Sequence, residues 1–160
     1  MKMFNNVLDH SEAPSTNVSV NIFPQRITLF VSDNGIGIFN KIQKDLGLDD
    51  LRHAILELSK GKLTTDPSKH TGEGIFFTSR MFDEYAILSS DLCFMHLELD
   101  DDWLIQRGQP NVGTSIIMTI DTSSERRIGE VFKNFSVGDS FGFDRTHVPV
   151  SLSRYGQENL

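Results

Sequence analysis
A chain of 160 residues with 38% hydrophobic content suits one domain with a proper core, or one domain plus a fragment of another, and leaves no room for two full domains. The net charge of −7 argues against a general affinity for nucleic acid or anionic membrane, so any phosphate binding has to be local, through backbone N–H groups, a metal or a few cations. A lone cysteine, Cys93, argues against a disulfide framework or a cysteine-based zinc site; no apolar run approaches the roughly 18 residues of a membrane span, and the expectation is a soluble cytoplasmic protein.

Within residues 3–11, Phe4, Val7 and Leu8 fall at helical spacing, and Asn6, Asp9 and His10 share the polar face, with Lys2 one turn before Asn6. Pro14 closes this helix. Val18, Val20 and Ile22 alternate in a strand that pairs, through Pro24-Gln25, with a second strand from Arg26 to Ser32. That strand delivers Asp33-Asn34-Gly35-Ile36-Gly37. A carboxylate at a strand exit can accept a hydrogen bond from an exocyclic amine, and glycines there let a ligand approach the backbone. Asp-Asn-Gly is also strong turn chemistry, and taken alone it reads first as a tight turn. Phe39, Ile42 and Leu46 then mark a short helix stopped by Gly47. Leu51, Ala54, Ile55 and Leu58 mark another, capped by Asp49 or Asp50 and ended by Gly61.

Residues 61–74 are almost devoid of apolar side chains and longer than most connections, as lids and disordered loops are. The stretch ends in Thr71-Gly72-Glu73-Gly74 and passes directly into an apolar helix, Ile75 to Phe82, whose positive end would suit an anion; an ordinary N-cap with flexible glycines is the plainer reading. Tyr85 to Ser89 and Leu92 to Leu99 read as two antiparallel strands joined by a turn at Ser90-Asp91, and Gly113 to Ile120 as a last strand. Asp45, Asp49, Asp50 and the run Asp100 to Asp102 read as caps or solvated faces, and His53, His70 and His96 as surface or structural residues without ligand spacing. The expected fold class is α+β, a two-layer sandwich of a mainly antiparallel mixed sheet with helices on one face.

In this order the motifs resemble the GHKL ATP-binding fold shared by gyrase, MutL, histidine kinases and anti-sigma-factor kinases, over residues 1–121. The resemblance implies ATP and Mg2+ as cofactors. It places Asn6 as the magnesium ligand and His10 near the phosphates. Asp33 becomes the acceptor of the adenine amino group, with Gly35 and Gly37 shaping the purine pocket. Thr71, Gly72 and Gly74 stand for the second glycine box over the triphosphate, and Thr114, after Gly113, supports Asp33. Two departures stand beside this. Lys2 occupies the position of the glutamate that polarises the attacking water or hydroxyl, and a lysine there is a poor proton acceptor at neutral pH. The chain also opens inside the first motif helix, as a short variant or a late start would.

Residues 122–160 form a linker followed by a segment, Phe141 through Gly156, that resembles the opening of a STAS-like domain and ends before such a domain could be complete. One short helix near Ile128 to Phe132 and one strand candidate at Val148, Val150 and Leu152 are expected there, too little for a core; the segment is either mobile or laid against the sheet. The leading expectation is a regulatory module that binds ATP with magnesium and signals its occupancy to a STAS-type or sigma-factor-like protein partner. The alternatives are a serine kinase or ATPase, and a degenerate interaction domain without nucleotide. Homodimerisation is left open, and no residue points to DNA contact.

Overall fold
A computed structural model describes residues 10–59, 74–97, 102–137, 142–143 and 150–154. β1 (Thr16–Ile22) and β2 (Arg26–Asp33) form a hairpin, closed where the Phe23 N–H donates to the Arg26 carbonyl at 2.9 Å. After α1 (Ile38–Leu46), α2 (Leu51–Ser59) and α3 (Gly74–Met81) come two long strands, β3 (Glu84–Leu97) and β4 (Asp102–Asp121). α4 (Ile128–Phe135), the short strands β5 (Ser136–Val137) and β6 (Gly142–Phe143), and β7 (Val150–Arg154) complete the described elements.

β4 is the central strand. On one side it pairs antiparallel with β3, through Asp102 to Gln106, Asn111 and Thr114 to Thr119; on its other side, residues Ser115 to Asp121 pair antiparallel with β2 and Asp102 to Gln106 pair parallel with β7. The hairpin strand β1 forms the far edge beyond β2. The fold is therefore α+β, with a sheet antiparallel except at β7.

Alternation decides which side of the sheet is dry. Val31, Ile116 and Ile87 lie in one cross-strand row and Leu29, Met118 and Tyr85 in another. With Leu92, Phe94 and Leu104 they face Phe39 and Ile42 of α1 and Ala54, Ile55 and Leu58 of α2, all in one buried cluster. Each helix carries its apolar residues at three- and four-residue spacing, so that a single face meets the sheet. α1 stops at Gly47, whose φ of +62° lets its N–H and that of Leu48 turn back onto the carbonyls of Lys44 and Gln43. Asp50 caps α2: its Oδ1 accepts the Arg52 N–H at 2.8 Å. Both helices and the β1–β2 hairpin follow the sequence expectation, and α3 starts and ends one residue earlier than expected.

Two expectations require correction. Ser90-Asp91 is not a turn between two strands: β3 runs through it as one strand, with Ser90 at φ +53° and a register slip from Ser90↔Asn111 to Leu92↔Gln106. The extra residues of β4 bulge there, and Gly113 to Ile120 is only the second half of a strand that begins at Asp102. Asp102 is no solvated acid. It is 1% exposed, its Oδ2 accepts from Arg80 Nη2 at 2.9 Å, and its Oδ1 lies 2.8 Å from His96 Nδ1. The tail follows the expectation that it is laid against the sheet: β7 lies along β4, and Val131 of the expected short helix, α4, is buried against Phe76 and Phe77 of α3.

Candidate functional site
Two residues beyond the Val31–Ile116–Ile87 row, the same face of the sheet carries a polar row. Thr16 pairs with Asp33, Asp33 continues the β2–β4 register opposite Thr114, and Thr114 pairs with Ser89. Strand spacing of about 4.8 Å puts Asp33 and Ser89 some 10 Å apart, with Thr114 between them. Asp33, Thr114 and Ser89 are 7%, 5% and 0% exposed. Carboxylate and hydroxyl groups thus stand buried at the lip of an apolar core, where each needs a partner.

Asp33 is held in place from two directions. Its Oδ1 accepts the Gly35 N–H at 2.9 Å and the Thr114 N–H at 3.3 Å, and among the described residues no hydrogen bond reaches Oδ2. That oxygen can receive a donor from a ligand without any rearrangement of the carboxylate. Thr114 faces both ways, because its Oγ1 accepts the Ile38 N–H at 2.9 Å. Gly37, at the N-cap of α1, has no side chain to satisfy that first helical N–H, and the strand supplies the acceptor.

The loop from Asn34 to Gly37 is clamped by the segment that leads into β1. Ser15 N–H donates to Asn34 Oδ1 at 3.0 Å, Asn34 N–H donates to the Ser15 carbonyl at 3.4 Å, and Ile36 N–H donates to the Ser11 carbonyl at 3.1 Å. Ser11 follows His10, which is half-buried. A Cβ on Gly35 would collide with the Ser11 main chain; one on Gly37, at φ +83°, would meet Ser89 Oγ at 2.5 Å. The loop therefore takes its shape from main-chain packing as well as from turn chemistry.

Of the residues expected in the site, Asp33, Gly35, Gly37 and Thr114 come together here, although 81 positions separate Asp33 from Thr114 in the chain. Gly74 opens α3, where its carbonyl accepts the Thr78 hydroxyl at 2.6 Å. Asn6, Thr71, Gly72 and Lys2 lie outside the described residues. Among the described residues no three His, Cys, Asp or Glu side chains converge to hold a metal. No helix among them is long and apolar enough to cross a membrane.

Ser89 was not anticipated. Its Oγ is fully buried and makes no hydrogen bond among the described residues, the one such hydroxyl group there. The signal was present in the sequence: Tyr85, Ile87 and Ser89 share the inward face, and a serine in that alternation breaks an apolar series. Cys93 behaves as expected for a core residue; burial pushes its thiol pKa up, and only the Arg107 charge pulls the other way.

No protein-family model matches the chain, and no curated protein matches it in sequence.

Proposed function
We propose that the chain is an ATP-binding regulatory module of the GHKL type, reading adenine through Asp33 and holding magnesium through Asn6. One observation supports this above the others: a buried carboxylate whose Oδ1 is committed to Gly35 and Thr114 while its Oδ2 remains available to a ligand. An exocyclic amine fits that oxygen, and a carbonyl at the same position would be repelled, which favours adenine over guanine. Thr114 ties the carboxylate to the first N–H of α1, so occupancy at Asp33 can be passed to the helix layer and to a protein partner, for which a STAS-type or sigma-factor-like protein is the candidate class.

A second reading has its own observation. The places where Cβ atoms on Gly35 and Gly37 would sit are filled by Ser11 and Ser89, which accounts for both glycines without a ligand, as in an interaction domain that carries no nucleotide. Thermal unfolding with magnesium-ATP, with GTP, and with Asp33→Asn separates the two readings. A ligand at a hundred times its Kd adds about 2.7 kcal/mol, roughly 5–10 °C for a domain of this size. The expected result is that shift for ATP alone, lost in Asp33→Asn. A folded protein whose midpoint ignores ATP establishes the second reading.

A further inference from the structure
β1 is an edge of the sheet, bonded to β2 and to no other strand among the described residues. Its sequence, Thr-Asn-Val-Ser-Val-Asn-Ile, contains no charged residue and no proline, and its register with β2 runs without a bulge. Those are the usual devices that keep an edge strand from pairing, and none is present. Val18, Val20 and Ile22 lie on the face that carries the core in β2 and β4, yet they are 54%, 52% and 76% exposed. Among the described residues the helices pack over β3 and β4 and not over this edge.

Ladder bonding settles which main-chain groups face outward. Asn34 N–H donates to the Ser15 carbonyl and Phe23 N–H to the Arg26 carbonyl, so the odd-numbered residues of β1 exchange their bonds with β2. The even-numbered Thr16, Val18, Val20 and Ile22 consequently turn N–H and C=O to the open edge.

A second copy of the chain fits that edge in one register. Around a two-fold axis at Ser19, Asn17-Val18-Ser19-Val20-Asn21 reads the same in both directions. Val18 then faces the partner's Val20, Asn17 faces the partner's Asn21, and Thr16 faces the partner's Ile22. All four outward residues become hydrogen-bonded pairs, giving about eight new main-chain bonds and an unbroken apolar face. An axis moved by one residue leaves strand ends unpaired, and an axis between residues sets outward groups against inward ones. We propose that β1 is the interface of a homodimer in which the two sheets join across Ser19. The contact is isologous, as closed dimers require. A single strand pair buries less than the roughly 1,200 Å² of a standard stable interface, so association is reversible and concentration-dependent.

Sedimentation equilibrium of the full chain across a wide concentration range tests this, together with three variants. Val20→Pro removes an N–H that the monomer does not use and is expected to leave a folded monomer at concentrations where the unaltered chain dimerises. Ser19→Cys places two thiols across the axis, with Cα atoms about 4.5 Å apart and within disulfide reach, and is expected to oxidise to a covalent dimer. Asn17→Cys lies four residues, about 13 Å, from its own copy and is expected to stay uncrosslinked. A monomer at every concentration overturns the proposal, as does a dimer that survives Val20→Pro or equal crosslinking of the two cysteine variants.

Discussion

Gly113→Ala is the sharpest probe of how the site is built. Gly113 has φ +69°, and a Cβ there would lie 2.7 Å from the Asp33 carbonyl carbon, closer still to its oxygen, and 2.9 Å from Asn34 Cα. All three are main-chain atoms, so no side-chain rotation relieves the overlap. The left-handed conformation alone costs an alanine about 1–2 kcal/mol. Adding the displacement of Asp33 and Asn34, which strains the Thr114 N–H bond to Asp33, brings the expected loss to about 3–5 kcal/mol, among the largest that point substitutions produce. For a domain of this size that lowers Tm by roughly 6–20 °C. Gly108→Ala is the control, since a Cβ at Gly108 meets nothing within 4 Å, and it should change stability by less than about 0.5 kcal/mol. Urea titration of both variants at constant m gives the comparison. If Gly113→Ala costs no more than Gly108→Ala, the close approach of Gly113 to Asp33 does not exist in solution.

Two other predictions concern buried acids outside the site. Burial alone would raise the Asp83 pKa, but hydrogen bonds from the Asp121 N–H, Arg126 and Ser124, with the Arg126 charge, outweigh it and hold the carboxyl below its usual range. The stabilisation is thus present above the unfolded pKa of about 4 and is lost as pH falls through the lower folded value. Tm measured from neutral pH down to about pH 2.5 should fall less steeply in Asp83→Asn than in the unaltered chain, and parallel curves would contradict the assignment. Asp102→Ala removes the carboxylate shared by Arg80 and His96 in a fully buried position, and should cost about 3–5 kcal/mol by urea unfolding; a loss under about 1 kcal/mol would mean that this ion pair contributes no net stability.

Local patterns in the sequence carried much of the fold. Val18-Val20-Ile22, the stop at Gly47 and the Asp50 cap each act within a few residues of themselves, and so they could be read directly. Ser90-Asp91 misled for a physical reason. A polar pair between two apolar runs is what a hairpin turn looks like, but a bulge that slips one strand against another has the same composition, and only the partner strand distinguishes them. Asp102 misled similarly, since an acid in a run of three aspartates looks solvated until Arg80, 22 residues earlier, is brought beside it. In the candidate site, Asp33 and its glycines were visible as a strand exit, whereas Ser89 shows in the sequence only as a break in an apolar alternation, and its place beside Thr114 needs the β3–β4 pairing.

The polar row explains why those separate signals belong to one device. A sheet whose inner face stayed apolar to its end would leave the first N–H of α1 facing hydrocarbon, because Gly37 has no capping side chain. Thr114 supplies that acceptor, and its own N–H in turn helps to hold Asp33. The helix start and the carboxylate are thus fixed through the same residue. A ligand that draws on Asp33 Oδ2 would act on a group already braced by β4 and by Gly35, so it would meet a preorganised acceptor, and Thr114 gives one route from that carboxylate to the first turn of α1. That coupling follows from three hydrogen bonds and does not depend on which ligand is bound.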